Sequence, residues 1–125
     1  MKHCLVTGGR RGIGLEFARQ YLQRGFQVYA ASRNPWTSVE LERLREQHDG
    51  RLAIMQLDVG HGTSREECFQ ALSANTGKLD LLINSAGILS GHEQFCRPLG
   101  ELDQDELCKT FLINSLAPLM IAQAA

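Results

Sequence analysis

The sequence predicts an α/β protein with a doubly wound parallel sheet. Short apolar runs alternate with segments of helical periodicity along the chain, and the connections between them are only a few residues long. Such tightly joined strand-helix-strand units require parallel strands and right-handed crossovers. A glycine-rich turn also separates the first apolar run from the first helical segment. We expect a single domain with the strand order 3-2-1-4.

Length and composition fit a globular protein. The chain has 125 residues, of which 43% are hydrophobic and 22% charged, which is enough for one core. A net charge of -1, with both signs interspersed, predicts neither a nucleic-acid partner nor an anionic membrane partner. No apolar run approaches the ~20 residues of a membrane span, and residues 1–3 lead directly into a strand without a signal-peptide core. The expected location is cytoplasmic.

The cysteines and histidines predict no metal site. No C-x-x-C pair and no clustered Cys/His spacing occurs among them. We expect free, mostly buried thiols. The residues concerned are Cys4, Cys68, Cys96, Cys108, His3, His48, His61 and His92.

The first half of the chain predicts two strands around one helix. The first strand is His3–Thr7, and the helix spans residues 13–24, followed by Gly25 in the position that favours a left-handed residue. The second strand covers residues 26–31 and must end before Pro35, which cannot continue a hydrogen-bonded ladder.

The next four elements repeat the alternation. Residues 37–40 (Thr-Ser-Val-Glu) have capping-box spacing and predict the start of the second helix, and residues 63–66 (Thr-Ser-Arg-Glu) do the same for the third. Between them, residues 52–57 form a near-continuous apolar run, typical of a central strand buried on both faces. The fourth strand is predicted at residues 79–83.

The last third of the chain begins with a segment that has no helical or strand periodicity. Residues 88–102 contain glycine and proline and predict a loop over the strand ends. Asp103 then has the spacing to cap a last helix, with Glu106 three positions on. This helix is predicted to run to Ala125 without a capping signal, so we expect a domain of residues 1–125 that is truncated within the helix after strand 4.

Residues 7–14 (Thr-Gly-Gly-Arg-Arg-Gly-Ile-Gly) predict a dinucleotide site. The N-terminus of a helix offers unpaired N–H groups and the positive end of a dipole, and glycines let a diphosphate approach the backbone. A glycine-rich turn can also simply be tight, and such a motif alone is weak. Other strand-end residues decide between the two interpretations, because ligands of open parallel sheets bind beyond the carboxyl ends of the strands. The predicted cofactor-binding residues are Gly8, Arg10, Arg11, Gly12, Ile13, Gly14, Ser32, Arg33, Asp58, Val59, Asn84, Ala86 and Gly87.

The end of the second strand favours NADP(H) over NAD(H). An acidic residue there would bind the ribose hydroxyls of NAD, whereas this chain has Arg33. A guanidinium can bind a 2′-phosphate, and Arg11 can reach the same group. The alternative is that both arginines are ordinary surface residues. Asp58 can accept a hydrogen bond from the adenine amino group or form a strand-end turn, and residue type does not decide between these.

The motifs taken together resemble the short-chain dehydrogenase/reductase family, in particular carbonyl-reductase-like members of the sniffer and C-factor type. Residues 7–14 have the glycine spacing of that family, Asp58-Val59 is similar to its adenine-site acid, and residues 84–87 (Asn-Ser-Ala-Gly) are similar to its Asn-Asn-Ala-Gly motif. The resemblance implies a Rossmann-type sheet, a nicotinamide cofactor and hydride transfer between a carbonyl and an alcohol. It also implies that Asn114 is the catalytic helix asparagine that holds a proton-relay water. On residue type alone, Asn114 is a polar helix residue with a local partner.

The family's catalytic serine and Tyr-x-x-x-Lys pair are absent, because Tyr21 and Tyr29 are followed four positions later by Gly25 and Arg33. We therefore expect the cofactor-binding, N-terminal half of such an enzyme, with exposed apolar surface and a tendency to associate, including with copies of itself. The alternatives are a non-catalytic NADP(H)-binding or regulatory module and, in another class, an S-adenosylmethionine-dependent methyltransferase. The substrate, a small carbonyl compound or alcohol, is not specified by these residues.

Overall fold

A computed structural model describes residues 1–89 and 97–125, and its architecture is the predicted doubly wound α/β sheet of Rossmann type. The four strands are parallel and their order is β3-β2-β1-β4, as the sequence indicated. The elements are β1 His3–Thr7, α1 Gly12–Gln23, β2 Gln27–Ser32, a 3-10 turn Pro35–Thr37, α2 Val39–Gln47, β3 Leu52–Gln56, α3 Gly62–Ser73, β4 Leu81–Asn84, α4 Gln104–Phe111, a π-helical turn Leu112–Leu116 and α5 Ala117–Ala124.

The strand register brings the carboxyl ends of the strands to one edge of the sheet. β1 lies between two neighbours, with Thr7 opposite Ala31 of β2 and Asn84 of β4. On the far side of β2, Ser32 lies opposite Gln56 of β3. The segments that follow the four strands therefore begin side by side, which is the arrangement that builds a ligand site.

Two hydrophobic cores cover the two faces of the sheet. Successive residues of a strand point to opposite faces, so Leu5 packs with Ile113 and Ile121 on one side, and Val6 packs with Ala18 and Leu22 of α1 on the other. All six side chains are buried. Burial on both faces explains why β1 is apolar at nearly every position.

The helix starts differ from the predicted capping boxes. Thr37 belongs to the 3-10 turn, so Ser38 caps α2 instead, and its Oγ accepts a hydrogen bond from the Leu41 N–H. α3 begins at Gly62, ahead of the predicted box, and no side chain caps it. The Ser64 Oγ, in the first turn of α3, accepts from the Asp58 N–H. Thr37 and Thr63, the cap positions of the two predicted boxes, therefore cap neither helix, because Ser38 and His61 are the N-cap residues.

β3 is an edge strand and not the central strand that its apolar run predicted. Leu52 is buried, but the following residues are half-buried and Gln56 is exposed. The reason is that only β2 pairs with β3 in the described part of the chain. An apolar run alone does not distinguish a central strand from an edge strand that is partly covered by helices.

The last helical stretch has three parts and not one. The Asp103 cap is confirmed, because its Oδ1 accepts from the Glu106 N–H at 2.9 Å, but a π-helical turn separates α4 from α5. Together Gln104–Ala124 is 21 residues long and apolar enough to cross a membrane by length and composition, although the sequence predicted no apolar run of that length. One such helix is weak support for a membrane segment. Of the loop predicted at residues 88–102, residues 90–96 lie outside the described residues, and the others form neither helix nor strand.

Candidate functional site

A cavity lies at the carboxyl edge of the sheet, between the segments that follow β1, β2, β3 and β4. Its volume is about 340 Å³. It contains all predicted cofactor-binding residues except Asp58 and Asn84. The lining residues are Gly8, Arg10, Arg11, Gly12, Ile13, Gly14, Ser32, Arg33, Asn34, Leu57, Val59, Ser85, Ala86, Gly87, Ile88 and Ile113.

The glycines of the first turn have two distinct physical roles. A Cβ on Gly8 would lie 2.8 Å from both Cα and N of Ala86, and a Cβ on Gly14 would collide with the carbonyl oxygen of Gly8. These two glycines therefore let the turn pack against itself and against the segment after β4. Gly12 instead has a φ of +58° and would meet nothing within 4 Å, so it provides a left-handed backbone in open space.

The N-terminus of α1 is open toward an anion. Its N-cap residue, Arg11, has an extended backbone and makes no side-chain capping bond, and the first turn contains no acidic residue. The orphan N–H groups of a 12-residue helix and its dipole then favour a negatively charged ligand at this end.

Thr7 fixes the segment after β4 against the glycine turn. Its side chain is 1% exposed, and its Oγ1 accepts hydrogen bonds from the Ser85 N–H at 3.1 Å and the Ala86 N–H at 3.2 Å. One threonine at the end of β1 thus satisfies two backbone donors at the end of the neighbouring strand. The relative position of the two loops is determined by this contact.

The cavity is locally basic, although the chain as a whole has a net charge of -1. Three arginines line it and no Asp or Glu does. The guanidinium groups of Arg11 and Arg33 have no hydrogen bond or ion pair with any residue that the structure describes, whereas Arg10 Nη1 donates to the Thr37 Oγ1 at 2.9 Å. Two cationic groups are therefore available to a ligand, and a guanidinium binds carboxylate and phosphate groups through two parallel hydrogen bonds.

Ser32, the last residue of β2, adds a buried polar atom to this wall. Its Oγ is the one buried side-chain polar atom in residues 1–89 and 97–125 without a hydrogen-bond partner. Leaving a buried hydroxyl unsatisfied costs about 1–3 kcal/mol. A ligand atom that hydrogen-bonds to this hydroxyl would remove that cost, and Arg11 and Arg33 line the same cavity.

Asp58 follows β3 as predicted, but its carboxylate is engaged in its own turn. Its Oδ1 accepts from the Gly60 N–H at 3.1 Å, and its Oδ2 lies 3.4 Å from the His61 Nδ1. The side chain faces a neighbouring groove, while Val59 and Leu57 line the cavity. This arrangement is the strand-end turn that the sequence left open as an alternative, and the contact with adenine stays a prediction.

The two asparagines are placed beside the cavity and not in its lining. Asn84 Nδ2 donates to the Pro118 carbonyl oxygen at 3.4 Å. Asn114, in the π-helical turn, bonds twice to Ile88: its Oδ1 accepts from the Ile88 N–H at 2.7 Å and its Nδ2 donates to the Ile88 carbonyl at 2.6 Å. Asn114 therefore holds a lining segment in place, and π-helical turns are frequent near functional sites.

Five lining residues were absent from the sequence prediction. Four of them, Asn34, Leu57, Ser85 and Ile88, are sequence neighbours of predicted residues, so their position after a strand was the signal that could have found them. Ile113 reaches the cavity from the π-helical turn, and no local pattern indicated it. Among the described residues, no group of three or more His, Cys, Asp or Glu side chains can hold a metal ion.

The sheet, the open helix N-terminus and the basic cavity define an α/β domain of the dinucleotide-binding class. A family model described as short chain dehydrogenase matches residues 2–125. The chain belongs to this family of oxidoreductases, whose members bind nicotinamide cofactors.

Similar proteins agree with this assignment. A short chain dehydrogenase/reductase from Gibberella zeae is 31% identical over an alignment of 128 positions, which covers 99% of this chain and 44% of that protein. Among solved structures, a carbonyl reductase from Pseudomonas aeruginosa PAO1 in complex with NADP is 35% identical with a TM-score of 0.83, over 99% of this chain and 54% of that one. A 4-hydroxyisoleucine dehydrogenase complexed with NADH is 25% identical with a TM-score of 0.81, over 98% and 47%. The chain thus spans about half the length of these relatives.

Proposed function

We propose that these residues are the cofactor-binding half of an NADP(H)-dependent short-chain oxidoreductase that interconverts a small carbonyl compound and its alcohol. The observation that carries the proposal is the pair of free guanidinium groups, Arg11 and Arg33, beside the unsatisfied hydroxyl of Ser32. We also propose a cytoplasmic location.

The preference for NADP(H) over NAD(H) is proposed from the hydrogen-bond donors and acceptors that line the cavity. The 2′- and 3′-hydroxyls of the NAD ribose need an acceptor such as a carboxylate, and no acidic residue lines the described cavity. A 2′-phosphate needs donors and positive charge, which Arg11, Arg33 and the Ser32 hydroxyl supply. Relatives with either cofactor exist, so this preference rests on the residues of this chain.

Each part of the cavity has a proposed task in binding. A bound nicotinamide cofactor would supply the hydride acceptor or donor for the reaction. The open N-terminus of α1 and the space beside Gly12 would take the diphosphate, and Leu57 and Val59 would offer an apolar surface to the adenine. Both polar atoms of the Asn114 side chain are bonded to Ile88, so we propose that this residue acts on the reaction by positioning the segment after β4.

The chemical step requires residues beyond these. A carbonyl becomes an alcohol only if a general acid protonates its oxygen as the hydride arrives, and the family's Tyr-x-x-x-Lys pair does not occur in residues 1–125. We propose that the general acid and most of the substrate site come from a further segment of the protein. The 125 residues alone would then be a non-catalytic NADP(H)-binding module, which is the alternative function. Oxidation of NADPH by the isolated 125-residue chain with a panel of aldehydes and ketones would contradict this division.

Arg33→Asp tests the cofactor assignment. The substitution replaces a phosphate donor by a ribose acceptor, so the affinity for NADP+ should fall by about 10- to 100-fold, the range that one or two lost charge-assisted hydrogen bonds produce, while NAD+ binding holds or improves. Titration calorimetry gives both dissociation constants. Arg43→Asp, at an exposed position of α2, changes the charge equally and should leave both constants unaltered. An unchanged NADP+/NAD+ ratio in Arg33→Asp would refute the assignment.

A further inference from the structure

Arg10 is tied to the segment after β2 through both its side chain and its main chain. Its Nη1 donates to the Thr37 Oγ1 at 2.9 Å, and its carbonyl oxygen accepts from the Ser38 Oγ at 3.0 Å. Ser38 is itself fixed, because its side chain is buried and its Oγ also accepts from the Leu41 N–H at 3.2 Å. The glycine turn and the start of α2 are therefore joined by two hydrogen bonds in addition to the sheet.

Further hydrogen bonds hold the backbone of Arg33 and its neighbour Asn34. The Thr37 hydroxyl donates its proton to the Asn34 carbonyl at 3.0 Å, and the Gln56 Nε2 donates to the Arg33 carbonyl at 3.4 Å. The backbone of residues 33–34 is thus held from two sides. The Arg33 guanidinium has no partner among the described residues, so the fixed backbone presents a free cationic group.

The three cavity arginines therefore divide into two kinds. Arg11 and Arg33 have free guanidinium groups, whereas the Arg10 guanidinium is already engaged by Thr37. An arginine that must break an existing bond gains less from a phosphate than a free one does. Arg10 lies next to Arg11 in the chain, so the bond that holds the Arg10 carbonyl also restrains the backbone from which the Arg11 side chain extends.

We propose that Arg10, Thr37 and Ser38 form a tether that sets the spacing between Arg11 and Arg33 and thereby determines the selectivity for a 2′-phosphorylated dinucleotide. Arg10 is a positioning residue in this scheme and not a phosphate ligand. The proposal rests on the proposed function of the cavity and adds to it the residues that control its specificity. Its physical basis is that two donors bind one phosphate well only when their separation is fixed in advance.

Thr37→Val tests the tether. Valine keeps the shape of the side chain but can neither accept from Arg10 nor donate to Asn34, so the preference for NADP+ over NAD+ should fall by roughly threefold to tenfold, the loss typical of one or two partly exposed hydrogen bonds. Thr37→Ser retains the hydroxyl and should restore the wild-type preference. Thr76→Val removes a comparable hydroxyl bond to the Lys78 carbonyl, between α3 and β4, and should change nothing. Titration calorimetry with NADP+ and NAD+ measures the ratio, and thermal unfolding checks that each variant is folded.

Arg10→Met and the double variant Arg10→Met/Thr37→Val separate positioning from direct binding. If the tether acts as a unit, the two single substitutions lower the preference by similar factors, and the double variant is no worse than either alone. A large loss in Arg10→Met together with a wild-type preference in Thr37→Val would show that Arg10 binds the phosphate itself, and would overturn the proposal.

Titration of the wild-type protein separates failure of the cofactor assignment from failure of the tether proposal. If it binds NAD+ as tightly as NADP+, the cofactor assignment fails and the tether proposal fails with it. If the wild type prefers NADP+ and Arg33→Asp abolishes that preference while Thr37→Val retains it in full, the cofactor assignment stands and the tether proposal alone is wrong.

Discussion

Gly12 and Gly14 lie two residues apart in the same turn but lack side chains for different physical reasons. A Cβ at Gly14 would collide with the Gly8 carbonyl oxygen, whereas a Cβ at Gly12 would meet nothing and would only have to adopt a φ of +58°. The first conflict is steric and involves backbone that cannot move without displacing the turn. The second conflict, at Gly12, is only the free-energy cost of placing one residue with a side chain in the left-handed backbone region.

Alanine substitutions should reveal this difference. We expect Gly14→Ala to lower the free energy of unfolding by about 3 kcal/mol, as overpacking against rigid backbone does, and Gly12→Ala to lower it by about 1–2 kcal/mol. Urea unfolding measures both. Equal destabilisation by the two variants would mean that the steric account of Gly14 is wrong.

The buried cysteines make stability depend on alkaline pH. Burial raises the pKa of the Cys68 thiol from 9.0 to about 11 and that of Cys4 to about 12. Because the folded pKa lies above the unfolded one, the neutral thiol stabilises the native state fully below about pH 9, and this contribution is lost as the pH rises through the folded values.

The free energy of unfolding should therefore decline between pH 8 and pH 10.5 by more in the wild type than in Cys68→Ala, which has one titrating thiol fewer. One group contributes at most about 1.4 kcal/mol per pH unit. Urea unfolding at the two pH values gives the comparison, and parallel declines in both proteins would contradict the buried-thiol explanation.

At the scale of elements, the sequence predicted each of the four strands to within about two residues, because each apolar run is bounded by turn residues. It also predicted the Asp103 cap, whose signal is local, and Gly25, which has the expected positive φ of 84°. The predictions of two helix starts were wrong by one or two residues. α3 begins at Gly62, ahead of the predicted cap Thr63, and a 3-10 turn occupies Thr37, so Ser38 caps α2.

The π-helical turn Leu112–Leu116 shows why part of the site was beyond sequence reasoning. Asn114 forms its two bonds with Ile88, 26 positions earlier in the chain, and no helical periodicity signals such a contact. The same turn brings Ile113 to the cavity. The strand-end residues were predictable because parallel topology forces them together, whereas residues contributed by this turn depend on how the last helix packs.

At the scale of the whole molecule, the helical stretch from α4 to α5 presents an apolar surface. Ile113, Ala117 and Ile121 face the core, but large apolar side chains on the other sides are exposed, including Phe111 at 60% and Leu119 at 65%. In the described part of the chain, β4 also has only β1 as a neighbour. Exposed apolar patches and open strand edges favour association.

We therefore expect the 125-residue chain, expressed alone, to self-associate, and we expect Phe111→Glu/Leu119→Glu to shift it toward the monomer in sedimentation velocity experiments. Val39→Glu, at a position of α2 that is 60% exposed, is the matched control and should leave the distribution unchanged. A monomeric wild-type chain, or an equal effect of the control, would count against the helix surface as the site of association.

We propose that the basic cavity at the carboxyl edge of the sheet binds a 2′-phosphorylated nicotinamide dinucleotide. The most direct test is a calorimetric titration of the purified protein with NADPH, NADH and S-adenosylmethionine under one set of conditions. The arginines and Ser32 predict that NADPH binds at least about tenfold more tightly than NADH and that S-adenosylmethionine does not bind. Tight binding of S-adenosylmethionine without NADPH binding, or equal affinity for NADPH and NADH, would contradict the claim.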